Sequence, residues 1–531
     1  TPDPGDRDPG VPDPGDPDPG SDAADPDATG PDATEPDVND ADLPGEDVPP
    51  ADGTDPDVPA DDVPPADIAD PDVPADDVPP ADIADPDVPP ADVPPADVPL
   101  EDVPADIPAG DVPPSDPGPG DDGGVYDPEN CVLTPGSSWV LLSGDLLLPE
   151  GTVRDGHLLI DATGLIACAA QDCSTHPEFA GATVIACASA LIAPAMINGH
   201  DHITFTGNFP KSHGTERYDH RHEWRKALNG HTKIPVPMTF GAEAWGELRN
   251  VLAGTTSMFG SGKATGLLRN LDEEMIGLPV PMSKYDVFPL DDGDDGLMLT
   301  DSCAYPKVPS TSATAAEYCY VPHVAEGVNA AARNEFLCMA GLAPGGQDNV
   351  LENTAFIHGV ALLASDIAEM AHDGTGLIWS PRTNVDLYGN TASILLYHRL
   401  GVNIGLGTDW TASGSVNMMR ELACADQLNR TQFGAYFTDR EIYDMATINN
   451  ARAFKVDAVV GSLEPGKVAD VAVFHTTRHP DLRAAIDGSP MDVALVLRGG
   501  APLYGDVHLV PGIPGGATGC EVLDVCGAEK R

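Results

Sequence analysis

Basic residues are scarce in this chain, and so are aromatic side chains and long apolar runs. Its 531 residues include 86 Asp and Glu against 27 Lys and Arg, which leaves a formal net charge of −59. Such an acidic surface disfavours nucleic acid as a partner. No run of about 18 apolar residues occurs, so the sequence predicts no membrane-spanning helix. The chain starts with Thr1 rather than Met, and we expect that an export signal or a lipid anchor preceded it.

The acidic excess is concentrated in residues 1–130. This stretch has 40 acidic residues, a single Arg, 34 of the 55 prolines and one aromatic residue, Tyr126. The segment PDVPADDVPPADIAD at residues 56–70 recurs unchanged at residues 71–85. Without large apolar side chains to bury, the stretch cannot offset the entropy of ordering its backbone. We therefore predict a disordered, extended tether that acts as a semi-rigid spacer.

The remainder of the chain has an ordinary charge and many cysteines. Residues 131–531 carry a net charge of only −20, which suits a globular protein. The chain has ten cysteines, six of them before residue 190 or after residue 515. This number favours disulfides, whose pairing the sequence leaves open, and hence an exported or cell-surface protein. Buried free thiols in a cytoplasmic protein are the alternative.

The apolar pattern divides this remainder into three parts. Short β-branched runs cut by Gly, Asp and Pro predict strands of a small sheet in residues 131–193. In residues 194–455, strand-like runs such as AFIHGVAL alternate with amphipathic stretches such as TASILLYHRLG. This alternation predicts an α/β fold, a (β/α)8 TIM barrel whose active site lies at the carboxyl ends of its strands. Residues 456–531 return to strands, and we expect them to complete the small sheet.

Two His-x-His pairs differ in their surroundings. In LIAPAMINGHDH, His200 and His202 follow an apolar run, where the period of two aims both side chains to the same side. This placement suits a metal site. The second pair, His220 and His222, lies in the charged stretch ERYDHRHEWRK with no strand before it. It is disfavoured as a metal pair, and its residues either line a substrate pocket or lie in a solvated loop.

Three further apolar runs end in side chains that bind metals or move protons. CYVPHVAEG carries His323 and, three residues later, Glu326, which could shuttle protons without binding the metal. His358 ends the run NTAFIH, and a buried histidine bonded to a carbonyl is the competing interpretation. Asp409 ends GVNIGLGTD with no Lys or Arg nearby in the sequence. A buried, unpaired carboxylate is costly, so we expect a metal or a cationic partner there.

With this order and spacing, the chain resembles the amidohydrolase superfamily, in the branch of metal-dependent aminohydrolases and chlorohydrolases that includes cytosine, guanine and S-adenosylhomocysteine deaminases. The resemblance covers about residues 139–475 and rests on LIAPAMINGHDH, GTTSM, HVAEG, FIHGVAL, SPRTN, GVNIGLGTDW and NNARAFKVDAVVGSLEPGKVADVAVF. It implies a distorted (β/α)8 barrel beside a small β-sandwich assembled from both flanks, with one divalent metal.

The resemblance also implies roles for single residues. The expected metal ligands are His200, His202, His323 and Asp409. Glu326 would shuttle the proton, His358 would orient the water, and Asp409 would help to fix the direction of attack. A rival alignment makes His358 the ligand, but Ala361 then stands where the shuttle glutamate should be, three residues after the ligand. Three nitrogen donors and one oxygen donor accept zinc or ferrous iron, and we favour zinc.

Departures from the family pattern bear on the substrate. The region FPLDDGDDGLMLTDSCAYPKVPSTS lacks the histidine that nucleoside-deaminating relatives carry before the fifth strand, which disfavours a purine nucleoside. Trp379 and Trp410 either form an aromatic wall for a planar ligand or only pack the rim of the barrel. Asn384 and His222 are further candidates for substrate binding.

The sequence thus predicts a metal-dependent hydrolase that acts on non-peptide carbon–nitrogen bonds of a small, cyclic or heteroaromatic molecule. A ring-opening cyclic amidase similar to imidazolonepropionase and a dechlorinating hydrolase are alternatives within the enzymes. A catalytically silent ligand-binding protein on the same scaffold is the alternative from another class. The expected partner is a small-molecule substrate, and the oligomeric state stays open.

Overall fold

The computed structural model of the chain describes residues 127, 130–208, 210–516 and 519–531. Apart from Asp127 and Asn130, the predicted tether at residues 1–130 lies outside the described residues, so its disorder stays a prediction.

The strands are, in chain order, β1 (Cys131–Thr134), β2 (Val140–Leu148), β3 (Gly151–Ile160), β4 (Ile166–Ala170), β5 (Thr183–Pro194), β6 (Met196–Asn198), β7 (Thr255–Met258), β8 (Arg269–Asn270), β9 (Lys284–Asp286), β10 (Tyr320–Val324), β11 (Ala355–His358), β12 (Gly376–Trp379), β13 (Ile404–Leu406), β14 (Val471–His475), β15 (Val493–Arg498), β16 (Ala501–Gly505), β17 (Leu523–Val525) and β18 (Ala528–Lys530).

The helices lie mostly between the strands of the central region. They are α1 (Arg221–Lys226), α2 (Ala242–Val251), α3 (Thr311–Thr314), α4 (Ala330–Met339), α5 (Ala364–Asp373), α6 (Pro381–Tyr388), α7 (Ile394–Leu400), α8 (Met418–Thr431), α9 (Asp439–Met445), α10 (Ile448–Ala453) and α11 (Arg483–Ile486). The longest of these helices, α8, has 14 residues. Within the described ranges, none of the helices has both the length and the apolar character that crossing a bilayer requires.

Strands from both flanks of the central region share one sheet. Its order is β16-β15-β14-β5-β2-β3-β4, and β1 pairs with β5 as an additional strand. The two flanks meet where β14 pairs antiparallel with β5, with Val471 opposite Pro194. One face of this sheet buries its own apolar cluster, which includes Leu142, Ile192 and Val473. Segments about 280 residues apart in sequence therefore fold together, as the strand patterns on both flanks of the central region predicted.

In the part of the central region that the structure describes, eight parallel strands form two sheets. One sheet has the order β6-β7-β8 and the other has the order β13-β12-β11-β10-β9. Among the described residues, no ladder joins the two sheets, but single backbone hydrogen bonds connect their edges. Gly199 donates to Leu406 at 3.0 Å beside β6 and β13, and Ser283 donates to Leu271 at 2.8 Å beside β8 and β9. The strands are thus arranged as in the predicted barrel, but no continuous ladder of backbone hydrogen bonds joins the two sheets in the described residues.

A buried amide strengthens the connection between β6 and β13. Nδ2 of Asn450 donates to the carbonyl oxygens of Ile197, at 2.6 Å, and Leu406, at 2.8 Å. The side chain lies so close to β13 that a Cβ on Gly405 would be 2.0 Å from Oδ1 of Asn450. Glycine at this position therefore lets the amide bond carbonyl groups on both edges where no ladder joins the two sheets.

The central strands are buried on both faces. Ile197, Val321, Ile357 and Ile378 pack in one cluster, whereas Phe356, Leu377 and Leu406 pack in the cluster that includes the helices. Side chains alternate between the two faces of a strand, so each face contributes to a different cluster. This double burial explains why these strands occur as continuous apolar runs in the sequence.

Three disulfides lie in the described part of the chain. Cys131 pairs with Cys187 between β1 and β5, and Cys168 pairs with Cys173 beside β4. The third disulfide joins Cys303 to Cys338 of α4. Six of the ten cysteines are therefore bonded, and the structure provides the pairing that the sequence left open.

Candidate active site

Six predicted site residues lie together at the carboxyl ends of the parallel strands. They are His200 and His202 after β6, His323 in β10, Glu326 after β10, His358 at the end of β11 and Asp409 after β13. Parallel strands point the same way, so their carboxyl ends meet at one edge. All of these side chains are buried except His202, which is partly exposed. Strand direction thus brings distant positions of the sequence into one small volume.

Donor atoms in this group lie close enough for a metal ion in two overlapping sets, one of His200, His323 and His358 and one of His200, His202 and Asp409. Nε2 of His200 lies 3.2 Å from Nε2 of His323. Oδ1 of Asp409 lies 3.3 Å from Nε2 of His200 and 3.5 Å from Nε2 of His202. Ligands about 2.1 Å from one ion, at the corners of a tetrahedron, are about 3.4 Å apart. These three separations therefore suit a divalent ion beside His200, with His202, His323 and Asp409 as its expected ligands.

Contacts on the far side of two rings direct their other nitrogen towards this cluster. Nδ1 of His323 lies 3.3 Å from the carbonyl oxygen of Asp286, which can only accept, so Nδ1 carries the hydrogen. Nδ1 of His202 lies 3.2 Å from the hydroxyl of Tyr285. Burial lowers the pKa of His202 to about 3 and that of His323 well below its ordinary value, so both rings are neutral. The unshared electron pair on Nε2 of His323 faces Nε2 of His200, which favours a cation between them.

His358 differs from the other three histidines because its tautomer exposes a hydrogen. The indole of Trp379 can only donate, and it donates to the hydroxyl of Thr391 at 2.7 Å. That hydroxyl in turn donates to Oδ1 of Asn384 at 3.4 Å, so the amide nitrogen of Asn384 faces Nδ1 of His358 at 3.3 Å. Nδ1 therefore accepts and Nε2 carries the hydrogen. Nε2 lies 3.6 Å from Oε2 of Glu326, so His358 presents a donor to the site.

Glu326 is buried beside the four donor atoms without being one of them. One oxygen, Oε2, faces His358, and the other, Oε1, accepts a hydrogen bond of 2.7 Å from the hydroxyl of Tyr388. Burial raises the pKa of Glu326 to about 7, although the guanidinium of Arg221 opposes the rise. A carboxyl group with this pKa can take up and release a proton near neutral pH.

The backbone turns sharply at three of these strand ends. The φ angles of Ala325, His358 and Asp409 are 57°, 77° and 54°, in the left-handed region that non-glycine residues rarely occupy. The backbone of Asp409 is held there because its amide donates to the carbonyl of His200 at 2.9 Å. Such strain re-aims the side chains away from the ordinary alternation of the strands, and it is typical of functional sites.

The sequence patterns did not indicate several residues that support this group, among them Tyr285, Tyr388 and Arg249. One signal was available for Arg249, because the period of two turns Asp201 away from the histidines on either side of it. A buried carboxylate that faces away from the metal donors needs its own cation. The sequence contains no signal for which arginine fulfils this need.

Trp379 and Trp410 do not share one wall, so the structure does not favour the joint aromatic surface, which was one of the two alternatives that the sequence left open. Trp379 is 1% exposed and its ring lies 6.4 Å from that of Phe433. The preceding Ile378 packs in the cluster on the other face of β12, so alternation directs Trp379 towards the helices. Trp410 instead lies beside the site, with its ring 4.7 Å from that of Trp224.

His222 is neither in a solvated loop nor directed at the six clustered residues. It lies fully buried on α1, where Nε2 bonds Asp292 at 2.8 Å and Nδ1 faces a guanidinium nitrogen of Arg225 at 2.8 Å. Burial lowers the pKa of His222 to about 4, so the ring is neutral. Because both ring nitrogens are engaged, His222 is not available to a substrate.

A second cluster of residues of the types that bind metals lies at α1. His220, His222 and Glu335 have donor atoms close enough for an ion. However, the guanidinium of Arg221 already lies 3.0 Å from Glu335 and 3.1 Å from Asp292. This arginine supplies the positive charge that the two carboxylates need, so the group is a buried ion network.

Comparison with known proteins shows what part of this chain is similar to. Residues 337–503, which include His358 and Asp409, match the model of the amidohydrolase family. A 5-methylthioadenosine/S-adenosylhomocysteine deaminase of Teredinibacter turnerae is 38% identical over 121 residues, which is 22% of this chain and 27% of the relative. A 5'-deoxyadenosine deaminase of Methanothermobacter thermautotrophicus is 29% identical over 166 residues, which is 29% of this chain and 38% of the relative. The chain thus spans less than two fifths of the length of these relatives.

Solved structures are similar over a larger share of the chain. A triazine hydrolase variant superimposes with a TM-score of 0.52 at 17% identity, covering 69% of this chain and 95% of that one. The atrazine chlorohydrolase of Arthrobacter aurescens TC1, complexed with zinc, has a TM-score of 0.50 at 16% identity and covers 68% and 95%. At this identity the likeness concerns the fold, which is a TIM-barrel-like α/β fold. The resemblance to amidohydrolases is confirmed.

Proposed function

We propose that the chain is a metal-dependent hydrolase that cleaves a carbon–nitrogen bond, other than a peptide bond, in a small cyclic or heteroaromatic molecule. The observation that carries this proposal is that metal donors and proton-handling groups surround one point. Three of the separations among the four donor atoms are 3.2 to 3.5 Å, and we assign a different role to Glu326 and His358, which lie beside them. The deaminase names of the matched relatives support a carbon–nitrogen bond as the target.

The proposed cofactor is one divalent ion. It would be held by His200, His202, His323 and Asp409, whose three nitrogen donors and one oxygen donor suit zinc, which we favour over iron. When bound, such an ion supplies an activated water molecule at neutral pH.

The two neighbouring side chains then divide the proton chemistry. Glu326 accepts the proton that the attacking water loses and delivers it to the leaving nitrogen, so that a carbon–oxygen bond forms as the carbon–nitrogen bond breaks. His358 donates a hydrogen bond from Nε2 and helps to orient the attacking oxygen. Asn384, which sequence analysis assigned to the substrate, contributes instead by bonding Nδ1 of His358.

Aromatic rings near His202 favour a planar substrate. The ring of Trp410 lies 6.5 Å from that of His202, and the ring of Tyr285 lies 6.1 Å from it. Since His202 is the partly exposed member of the donor set, a substrate that reaches the site passes these rings. We propose that Trp410, backed by Trp224, forms the wall against which a ring substrate packs.

Metal analysis and a product assay test this function together. Purified protein is expected to contain about one zinc ion per chain and to release ammonia from at least one of cytosine, pterin and S-adenosylhomocysteine. The last compound is included because a matched relative is named for it, although the sequence disfavours a purine nucleoside. Consumption of a cyclic urea without ammonia would instead identify a ring-opening enzyme. The Glu326→Gln variant should keep the metal and lose about 10²- to 10⁴-fold in kcat. Wild-type protein without stoichiometric metal would contradict the proposal.

We further propose that the protein is exported. The three disulfides support this location, because such bonds persist in oxidising compartments. Thiols counted in denatured protein, isolated without reductant, should show that six of the ten cysteines are protected. If all ten react, the proposed location is wrong.

A further inference from the structure

Tyr388, the last residue of α6, contacts the carboxylate of Glu326. The tyrosine is 5% exposed, and its hydroxyl donates to Oε1 of Glu326 at 2.7 Å. The other oxygen, Oε2, lies 3.6 Å from Nε2 of His358. The two carboxylate oxygens therefore have different neighbours, one that belongs to α6 and one that belongs to the proposed reaction site.

The indole of Trp224 determines which way the tyrosine hydroxyl points. Nε1 of Trp224 lies 3.0 Å from the hydroxyl oxygen of Tyr388. An indole nitrogen can only donate, so the hydroxyl oxygen accepts this bond. The hydrogen of the hydroxyl is then left for the ionised carboxylate of Glu326. Two hydrogen bonds thus run in one direction, from Trp224 through Tyr388 to Glu326.

The backbone of Glu326 is held by separate contacts. Its carbonyl accepts from the amide of Arg221 at 3.1 Å, and the amide of Ala325 donates to Glu335 at 3.0 Å. Gly327 has a φ of 151°, and a Cβ there would lie 2.4 Å from a backbone carbonyl oxygen. Since the main chain is held on both sides of Glu326, the carboxylate can move only by rotation about the side-chain torsions. The bond from Tyr388 restricts these torsions.

Helix α6 bonds both residues that we assign to proton handling. Asn384 bonds Nδ1 of His358, and Tyr388, four residues later on the same face of the helix, bonds Glu326. The helix ends directly after Tyr388, at Gly389, whose φ of 66° suits glycine. Movement of α6 would therefore disturb both side chains together.

We propose that Tyr388 is a positioning residue, which holds Oε1 of Glu326 so that Oε2 faces the site. This inference rests on the proposed function, because Glu326 is the residue to which we assign proton transfer. Tyr388 itself is not one of the four metal donors, and it acts on the reaction through Glu326. Its loss should therefore lower the rate of the chemical step and leave metal binding unchanged.

The test compares two buried tyrosines: the hydroxyl of Tyr388 donates one hydrogen bond and accepts another from Trp224, and the hydroxyl of Tyr443 donates one. Tyr388→Phe removes the bond to Glu326, and Tyr443→Phe removes a bond of 2.8 Å to the carbonyl of Pro194, in a tyrosine that is equally buried. The assay uses whichever compound in the ammonia screen wild-type protein turns over fastest. For Tyr388→Phe we expect a full complement of zinc, KM within about twofold and kcat lower by about tenfold or more. Tyr443→Phe should keep kcat within about twofold.

The outcomes separate this inference from the proposed function. Inactive wild-type protein would refute the function, and a crystal structure of Tyr388→Phe would then decide the inference. Displacement or multiple conformers of the Glu326 carboxylate would support the positioning role, whereas an unchanged single conformer would overturn it. With active wild-type protein, equal kcat values for the two Phe variants would overturn the inference alone. If Tyr388→Phe does not fold, Trp224→Phe tests the same chain of bonds and should lower kcat with the zinc content unchanged.

Discussion

Nη2 of Arg249 donates to both carboxylate oxygens of Asp201, at distances of 2.8 and 2.6 Å. Asp201 lies between two proposed metal ligands and also accepts a hydrogen bond of 2.9 Å from Thr408, the residue before Asp409. One buried ion pair therefore connects the turn that carries His200 and His202 to the turn that carries Asp409. The geometry of three metal donors depends on it.

Loss of this ion pair should destabilise the fold. Arg249→Met leaves the carboxylate of Asp201 buried and unpaired, and we expect the free energy of unfolding to fall by about 3 to 5 kcal/mol. The matched control is Arg154→Met, because Arg154 is 59% exposed and pairs with Asp145 at the surface. That change should cost less than about 1 kcal/mol. Urea denaturation of the metal-free variants measures both, and similar losses would contradict the assigned importance of Asp201.

Removal of one carboxylate should remove the metal. Asp409→Ala deletes the only oxygen donor among the four proposed ligands, and we expect zinc affinity to fall by at least about 100-fold. His372→Ala serves as the control, since this histidine is 82% exposed and lies away from the strand ends. Equilibrium dialysis with zinc measures both variants. Full zinc binding by Asp409→Ala would mean that the ligand assignment is wrong.

The tautomer of His358 should depend on Asn384. In Asn384→Asp, a carboxylate oxygen replaces the amide nitrogen that now lies 3.3 Å from Nδ1 of His358. An oxygen can only accept there, so the ring should move its hydrogen from Nε2 to Nδ1. Long-range correlation of ring protons and nitrogens by NMR detects this change directly. We expect kcat to fall by about 100-fold, and an unchanged tautomer would refute the hydrogen-bond chain from Trp379.

The stability of the protein should fall as the pH rises through neutrality, because of Glu421. This glutamate accepts a hydrogen bond from the amide of Arg382 in the first turn of α6. Burial raises its pKa to about 7, well above the ordinary value of a glutamate. The folded state therefore keeps a proton that the unfolded state releases at lower pH. The resulting stabilisation is complete below the unfolded pKa and is lost as the pH rises through about 7.

The Glu421→Gln variant isolates this contribution. Compared with wild type, its free energy of unfolding should fall less between pH 5 and pH 8, by up to about 3 kcal/mol. Denaturation curves at several pH values measure the difference. Parallel pH profiles of the two proteins would show that Glu421 is already ionised in the folded state.

Local patterns in the sequence were sufficient for the strands and for the group of side chains at their ends. The runs that end in His358 and Asp409 are apolar because their strands are buried on both faces, and parallel strands bring their carboxyl ends to one edge. These two rules need no knowledge of distant contacts. They place the six central residues correctly relative to the strands.

Neighbours distant in the sequence decided the remaining features. His222 is neutral and engaged because Asp292, 70 residues away, bonds its ring, although the surrounding charges suggested a solvated loop. Trp379 faces the helices because it lies on the helix-facing side of β12. The sequence alone does not show this side, because it does not give the register of the strand. Hydrogen-bond direction at His358 depends on Trp379, Thr391 and Asn384 together.

The amino-acid order alone thus decides which residues can bind a metal and at which strand ends they stand, since alternation and strand direction are local properties. Tertiary structure alone decides how the donor atoms are spaced, which ring nitrogen carries a hydrogen and which tyrosine restrains Glu326. These features depend on the directions of hydrogen bonds and on burial, and both arise only when side chains from separate segments pack against one another.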